Sequence, residues 1–363
     1  RSGIQDLELE SSFDYTPNER HHVRAGGVVT YHQFRPGATE YEVSEENPDT
    51  TIAPSESVHA LNAAVYAEDQ VEWTDRLSTN AGLRATTFVV SGTSYWSLQP
   101  RLSARYLLPG DWALKGSYSL MYQPIHLLSN STIGLPTDLW VSSTPEVPPE
   151  RSHQVTLGLS RSFFNREYEV RLEGYGKLMD NLLEYKQGAQ YTLTAQTDWE
   201  SRVTTGRGWS YGAELLLRRT RGRTSGWIGY TLSWTRRQFD SLNDGDPFPF
   251  RYDRRHDFSA TVTHQLTDVT SVAATWVYGT GDAVTAPEAR YRGRGQLRDW
   301  SDLILFGAGE TLDYTERNGF RMPAYHRLDL GVRFEWGNRD GFHALKLGAY
   351  NAYNRKNPYF FQT

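Results

Sequence analysis

In the stretch Asp111-Trp-Ala-Leu-Lys-Gly-Ser-Tyr-Ser-Leu-Met-Tyr-Gln123 the residues change character at every step. Successive side chains of an extended strand point to opposite faces. Trp112, Leu114, Gly116, Tyr118, Leu120 and Tyr122 therefore share one face, and Ala113, Lys115, Ser117, Ser119, Met121 and Gln123 share the other. The first face suits hydrocarbon and the second suits water. The length is that of a tilted strand crossing a bilayer.

The same split recurs on both sides of this stretch. Leu7, Leu9, Phe13 and Tyr15 oppose Asp6, Glu8, Glu10, Ser12 and Asp14, and Phe258, Ala260, Val262 and Leu266 oppose Asp257, Ser259, Thr261, Thr263 and Gln265. Leu328, Leu330, Val332, Phe334 and Trp336 oppose Arg327, Asp329, Arg333 and Glu335. Along the whole chain the pattern gives about fourteen strands. They fall near 4–15, 22–34, 59–73, 77–90, 98–108, 111–122, 152–164, 167–182, 205–219, 226–239, 255–267, 269–279, 325–336 and 343–353.

The connections between these strands alternate. Tight turns are expected at 16–21, 74–76, 109–110, 165–166, 221–225, 267–268 and 337–341, and long loops at 35–58, 91–97, 123–151, 183–204, 240–254 and 280–324. Short turns on one side and long loops on the other are the plan of an outer-membrane barrel, with the short side periplasmic. The fold class expected is all-β: a transmembrane, antiparallel, up-and-down β-barrel.

Composition agrees with this. The 363 residues include 11 Trp, 22 Tyr and 31 Gly, yet mean hydropathy is −0.61. A barrel with aromatic belts, an apolar outside and a polar lumen has this profile. No run of about eighteen apolar residues occurs, so helical spans are excluded by length. A net charge of −5 offers no basic field for nucleic acid, which is not expected as a partner. The chain contains no Cys, which removes disulfides and thiolate metal sites.

Few residues suggest chemistry. Gly208-Trp-Ser-Tyr-Gly212 matches a nucleophile-elbow pattern, but that motif requires a strand, a sharp turn and a helix. Here alternation continues through Trp209, Tyr211, Ala213, Leu215 and Leu217, which makes Ser210 a lumen-facing strand residue. No catalytic set, cofactor or metal is expected. The adjacent His21 and His22 should diverge along a strand, and the acidic run from Asp240 to Asp246 departs from EF-hand order. Arg251, Asp253, Arg254 and Arg255 are expected at the barrel mouth, as ion pairs that also shape the field met by an entering solute. Aromatic residues of the long loops are candidate ligand platforms, namely Tyr95, Trp96, Trp140, Tyr191, Trp199, Trp300, Phe306, Tyr314 and Phe320.

A series of phrases resembles the TonB-dependent outer-membrane receptors. Ala63-Ala-Val-Tyr-Ala-Glu-Asp-Gln70 followed by Asn80-Ala-Gly-Leu-Arg84 is similar to a strand pair of that family, and Gln99-Pro-Arg-Leu-Ser-Ala-Arg-Tyr106 to its Pro-Arg-x-Ser strand. Glu173-Gly-Tyr-Gly-Lys-Leu-Met-Asp-Asn-Leu-Leu-Glu-Tyr185 and Gly208-Trp-Ser-Tyr-Gly-Ala-Glu-Leu-Leu-Leu217 follow in the family's order. Tyr252-Asp-Arg-Arg-His256, Tyr325-His-Arg-Leu-Asp-Leu330 and Tyr350-Asn-Ala-Tyr-Asn-Arg-Lys-Asn-Pro358 come after them. The resemblance implies a barrel of about 22 strands with a plugged lumen. About fourteen strands would then be the later part of that barrel. The plug, the early strands and the closing strand would lie outside residues 1–363. It also implies an integral outer-membrane receptor that binds a scarce nutrient through its loops and imports it with energy from the TonB complex, contacted through the plug and its box. A passive porin is the alternative. The nutrient class stays open.

Overall fold

The expected alternation becomes strand pairing in the computed structural model, which describes residues 3–35, 57–128, 139–186, 199–286, 289–292, 310–313, 316–338 and 341–358. Fourteen long strands form one antiparallel sheet. They are β1 (Gly3–Asn18), β2 (His21–Arg35), β3 (Val58–Glu72), β4 (Leu77–Val90), β5 (Thr93–Leu108), β6 (Trp112–Gln123) and β7 (Glu150–Phe163). Then follow β8 (Tyr168–Tyr185), β9 (Val203–Arg219), β10 (Thr224–Gln238), β11 (His256–Thr267), β12 (Thr270–Gly279), β13 (Tyr325–Asn338) and β14 (Gly341–Ala349). Each pairs with its neighbours in sequence, the up-and-down order expected, and the two edge strands β1 and β14 do not pair with each other. Among the described residues there is no α-helix, and no helix is long and apolar enough to cross a membrane.

Register explains why the alternation is so regular. One row of direct partners runs Leu77, Tyr106, Leu114, Leu159, Leu172, Leu215, Tyr230, Phe258, Tyr278 across β4 to β12 without a polar member. A slip of one residue in any strand would put a polar side chain into that row and an apolar one into the lumen. The next row inward runs Ser78, Arg105, Lys115, Gly158, Glu173, Glu214, Thr231, Asp257. The polar face is the concave one, since side chains of β1 to β3 and of β6 to β8 line a single cavity.

Close packing on the inner face depends on glycine. Gly212 lies directly opposite Tyr175, and a Cβ there would stand 2.6 Å from the Leu232 carbonyl oxygen and 2.9 Å from the Tyr175 ring. The absent side chain lets the tyrosine lie flat across its neighbour strand.

The connections differ from expectation in one place. Turns 19–20, 73–76, 109–111, 164–167, 220–223 and 268–269 lie at one end, as expected, and the long links at the other. The loop expected at 91–97 is instead a two-residue turn at the long-loop end. Ser91 and Gly92 both have positive φ, 47° and 80°, as a tight hairpin turn with two left-handed residues requires. Alternation was obscured there because Ser91 to Ser97 is mostly small and polar.

Described parts of the long links pack into small cores. Leu128, Val141, Val147, Leu183, Tyr185 and Val203 form one, and Leu182, Phe239, Leu242 and Phe248 another. Short strands Ile125–Leu128 and Leu139–Ser142 pair with each other, and Ala283–Val284 pairs with Phe320–Arg321.

Candidate functional site

At the long-loop end the inner face encloses a cavity of about 620 Å³. Period-two geometry on the strands puts Gln99 and Arg101 of β5, Gln123 of β6 and Lys177 of β8 into it, together with His32 of β2 and Asn62 of β3. Trp140, half exposed, joins from Leu139–Ser142.

The polarity of this cavity is uneven. Among the described residues Arg101 and Lys177 have no ion-pair partner. Gln99 is held in place, donating from Nε2 to Thr86 Oγ1 at 3.0 Å and to Ser97 Oγ at 2.9 Å. His32 is buried, with Nδ1 2.8 Å from an Asp6 carboxylate oxygen. Its Nε2, and the buried Asn62 Oδ1, have no hydrogen-bond partner among the described residues. Buried polar atoms without partners cost free energy. Glu150 and Arg151 also line the cavity but are engaged with His126 and Asp180. Arg101 and Lys177, without ion-pair partners among the described residues, suit the lining to anionic oxygens of a ligand, and the acceptor Asn62 Oδ1 suits it to a donor group beside them.

Of the aromatic candidates among the described residues, Trp140 alone is brought to this cavity. Tyr95 lies on β5, packs against Phe34, Ala60, Phe88 and Val90, and donates from its hydroxyl to the Thr144 carbonyl at 2.5 Å. Trp96, its neighbour, is 75% exposed on the outer face of the same strand with Leu98, Leu102 and Tyr106. The expectation that both lie in a loop is corrected, because β5 begins at Thr93, and Trp96 takes the position of an interfacial belt residue. Trp199 packs against the Leu128 core, and Phe320 is exposed on its short strand. Tyr191, Trp300, Phe306 and Tyr314 lie outside the described residues.

The mouth charges are more buried than expected. Asp253 is 2% exposed. It accepts a hydrogen bond from the Thr235 backbone N–H at 2.5 Å and pairs with Arg255 at 3.4 Å and with Arg321. Arg251 is buried, while Arg254 is half exposed, 3.5 Å from Asp257 and 3.9 Å from Asp282. Asp253, Arg255 and Arg254 all stand in ion pairs, buried at Asp253 and half exposed at Arg254. Asp253 serves to tie β10 to the strand Phe320–Arg321.

A second buried carboxylate escaped the sequence reading. Glu184, 4% exposed, receives Arg237 at 3.3 Å and Arg317 at 2.9 Å. Arg237 also stacks 3.6 Å from the Phe250 ring centre and Arg317 5.4 Å from that of Phe248. These contacts fasten the segment that follows the long link onto β8 and β10. Nothing local marks Glu184, whose partners stand 53 and 133 residues away. Arg101 and Lys177 did carry a signal, since each sits at an inward register position with no opposite charge beside it.

The remaining motifs are placed as follows. His21 and His22 diverge, one to Asp69 at 2.7 Å and the other to Asp14 at 3.1 Å. Ser210 sits within β9, 3.0 Å from Thr235 Oγ1. In the acidic run, Asn243 Oδ1 receives the Arg317 backbone N–H at 3.1 Å, and no metal-holding cluster occurs among the described residues.

An antiparallel wall with an apolar outside, a charged inside, short turns at one end and long links at the other is the architecture of an outer-membrane β-barrel. Residues 3–354 match the family described as TonB dependent receptor-like, beta-barrel, and the chain belongs to that family. Similar solved structures include the FrpB iron transporter of Neisseria meningitidis, with TM-score 0.65 and 13% identity over 97% of this chain and 51% of that one. The ferric-catecholate import receptor Fiu of E. coli gives 0.61 and 15% over 98% and 52%. The siderophore receptor PirA of Acinetobacter baumannii gives 0.62 and 13% over 98% and 51%. The chain thus spans about half the length of the solved structures it matches. No curated protein sequence matches it.

Proposed function

We propose that this chain is the later wall of an integral outer-membrane receptor that captures an anionic nutrient at the mouth cavity and imports it with TonB-coupled energy. The observation that carries the reading is the cavity itself, where Arg101 and Lys177, without ion-pair partners among the described residues, supply the positive charge that an anion needs. Iron chelates rich in carboxylate or catecholate oxygens fit such a lining, and the similar solved proteins are an iron transporter, a ferric-catecholate import receptor and a siderophore receptor. No bond is made or broken. Tyr191, Trp300 and Tyr314 remain candidate ligand contacts, a plug contributed by another part of the protein would close the lumen and contact TonB, and further strands would pair with the free edges of β1 and β14, which lipid cannot satisfy.

Uptake of labelled ferric chelates by cells making the intact receptor tests this. The R101Q/K177Q variant is expected to lose at least tenfold in ligand affinity, as removal of two charge-assisted contacts implies, and uptake should vanish in cells without TonB. Uptake that persists without TonB would instead establish the passive channel.

A further inference from the structure

The turn end of the sheet carries its own charge pattern. Turns 19–20 and 73–76 balance acid and base, with Glu19 beside Arg20 and Asp75 beside Arg76, and turns 109–111 and 268–269 hold Asp111 and Asp268. Over β7 to β10 the balance is lost. Arg161, Arg166, Arg218, Arg219, Arg221 and Arg223 lie in or beside two adjacent turns, and of the six only Arg219 is ion-paired among the described residues, 2.6 Å from Glu167. Glu169 is engaged by Arg171, 2.9 Å away. Arg166, Arg218, Arg221 and Arg223 are exposed and have no ion-pair partner among the described residues.

A second feature occupies the same place. Phe163 and Tyr168 stack with ring centres 5.5 Å apart, and Phe164 meets Tyr168 edge-on at 5.8 Å. Phe164 is 72% exposed, and Phe164, Asn165 and Arg166 all have left-handed backbone, with φ of 52°, 53° and 63°. Arg161 lies over the Trp112 ring at 5.0 Å and Arg219 over Tyr168 at 5.2 Å. These rings terminate the outer apolar rows of β6 to β8, where the hydrocarbon face ends. Guanidinium groups seated on a belt of interfacial aromatics stand at the depth of phosphate headgroups.

We infer that this rim is a binding site for the phosphodiester headgroup of an anionic phospholipid in the periplasmic-side leaflet, with phosphatidylglycerol as the simplest ligand of that class. Arg219 and Arg161, held on the rings, face the headgroup from the outer surface, and Arg166, Arg221 and Arg223 close on it from the turns. The inference rests on the membrane placement proposed above and is independent of the nutrient.

The test uses the intact receptor in nanodiscs of phosphatidylethanolamine with a minor share of phosphatidylglycerol. Native mass spectrometry then counts the lipids that stay bound. The wild type should retain phosphatidylglycerol preferentially. The R166Q/R221Q/R223Q variant should lose that preference by at least tenfold, since each interfacial arginine contributes about 1 kcal/mol, roughly fivefold. R20Q, on a balanced turn, should keep it. Unchanged heat-modifiable gel mobility shows that the variant barrel is folded. Equal retention of both lipids by the wild type, or unchanged preference in the triple variant, overturns the site. Loss of phosphatidylglycerol to millimolar inorganic phosphate would overturn the lipid assignment in favour of a free-anion site. A receptor that retains neither lipid would refute the membrane placement itself, a different failure.

Discussion

Replacing Glu184 by Ala is expected to free the segment around Arg317 from the barrel mouth. Glu184 is 4% exposed, and its carboxylate accepts from Arg237 at 3.3 Å and from Arg317 at 2.9 Å. Hydrogen bonds to charged groups contribute about 1.5–3 kcal/mol each, and breaking a buried pair costs about 3–5 kcal/mol because the remaining charges lose their partner. Arg317 is only 15% exposed and Arg237 12%, so little solvent screening offsets this. A local cost of about 3–5 kcal/mol raises the undocked population between about a hundred and a few thousand fold. Hydrogen exchange reads this directly. The Arg317 N–H donates to Asn243 Oδ1 and the Asn318 N–H to Thr285 Oγ1, and both should exchange faster by that factor. Amides in the middle of β8 and β9 should not change. In E184L/R237L/R317L, where the charge and both of its partners are removed together, most of the effect should disappear. Exchange at residues 317 and 318 within threefold of wild type in E184A would refute the docking role of the buried carboxylate.

Other outcomes follow from the same packing. Phe248→Ala, at a fully buried ring beside Phe239 and Leu242, should cost about 3–5 kcal/mol of loop-end stability, measured by local exchange. Gly212→Val should hinder folding by about 1–3 kcal/mol, seen as a loss of the heat-modifiable form. Adding Tyr175→Ala should restore only part of it, because the Leu232 carbonyl still blocks the new side chain. Trp140→Ala should weaken ligand binding with barrel stability unchanged, whereas Trp96→Ala should do the reverse. Calorimetric titration and thermal unfolding separate the two. Ser210→Ala removes one hydroxyl pair with Thr235 and should leave uptake within twofold of wild type.

Much of the fold was legible because a membrane barrel states its two environments on alternate residues. All fourteen long strands were found from that signal, most within a few residues of their bounds. Where the signal thins, at Ser91 to Ser97, a tight hairpin passed for a loop and displaced Tyr95 and Trp96 with it. The site was less legible. Of the aromatic candidates the structure brings Trp140 to the cavity, since a loop aromatic fills a loop core as readily as it meets a ligand, and sequence does not tell the two apart.

Local chemistry determined which residues of this chain meet hydrocarbon and which meet the lumen, and hence the wall, its direction and the end that carries the long links. That information is nearest-neighbour information, repeated every two residues. Tertiary structure alone decided which charges are free. Arg101 and Lys177 have no ion-pair partner among the described residues, while Glu184 and Asp253 are each buried under two guanidinium groups. The partners of those carboxylates include residues brought back by the link from β12 to β13, and the Coulomb energy of a pair depends on a distance that no local pattern contains.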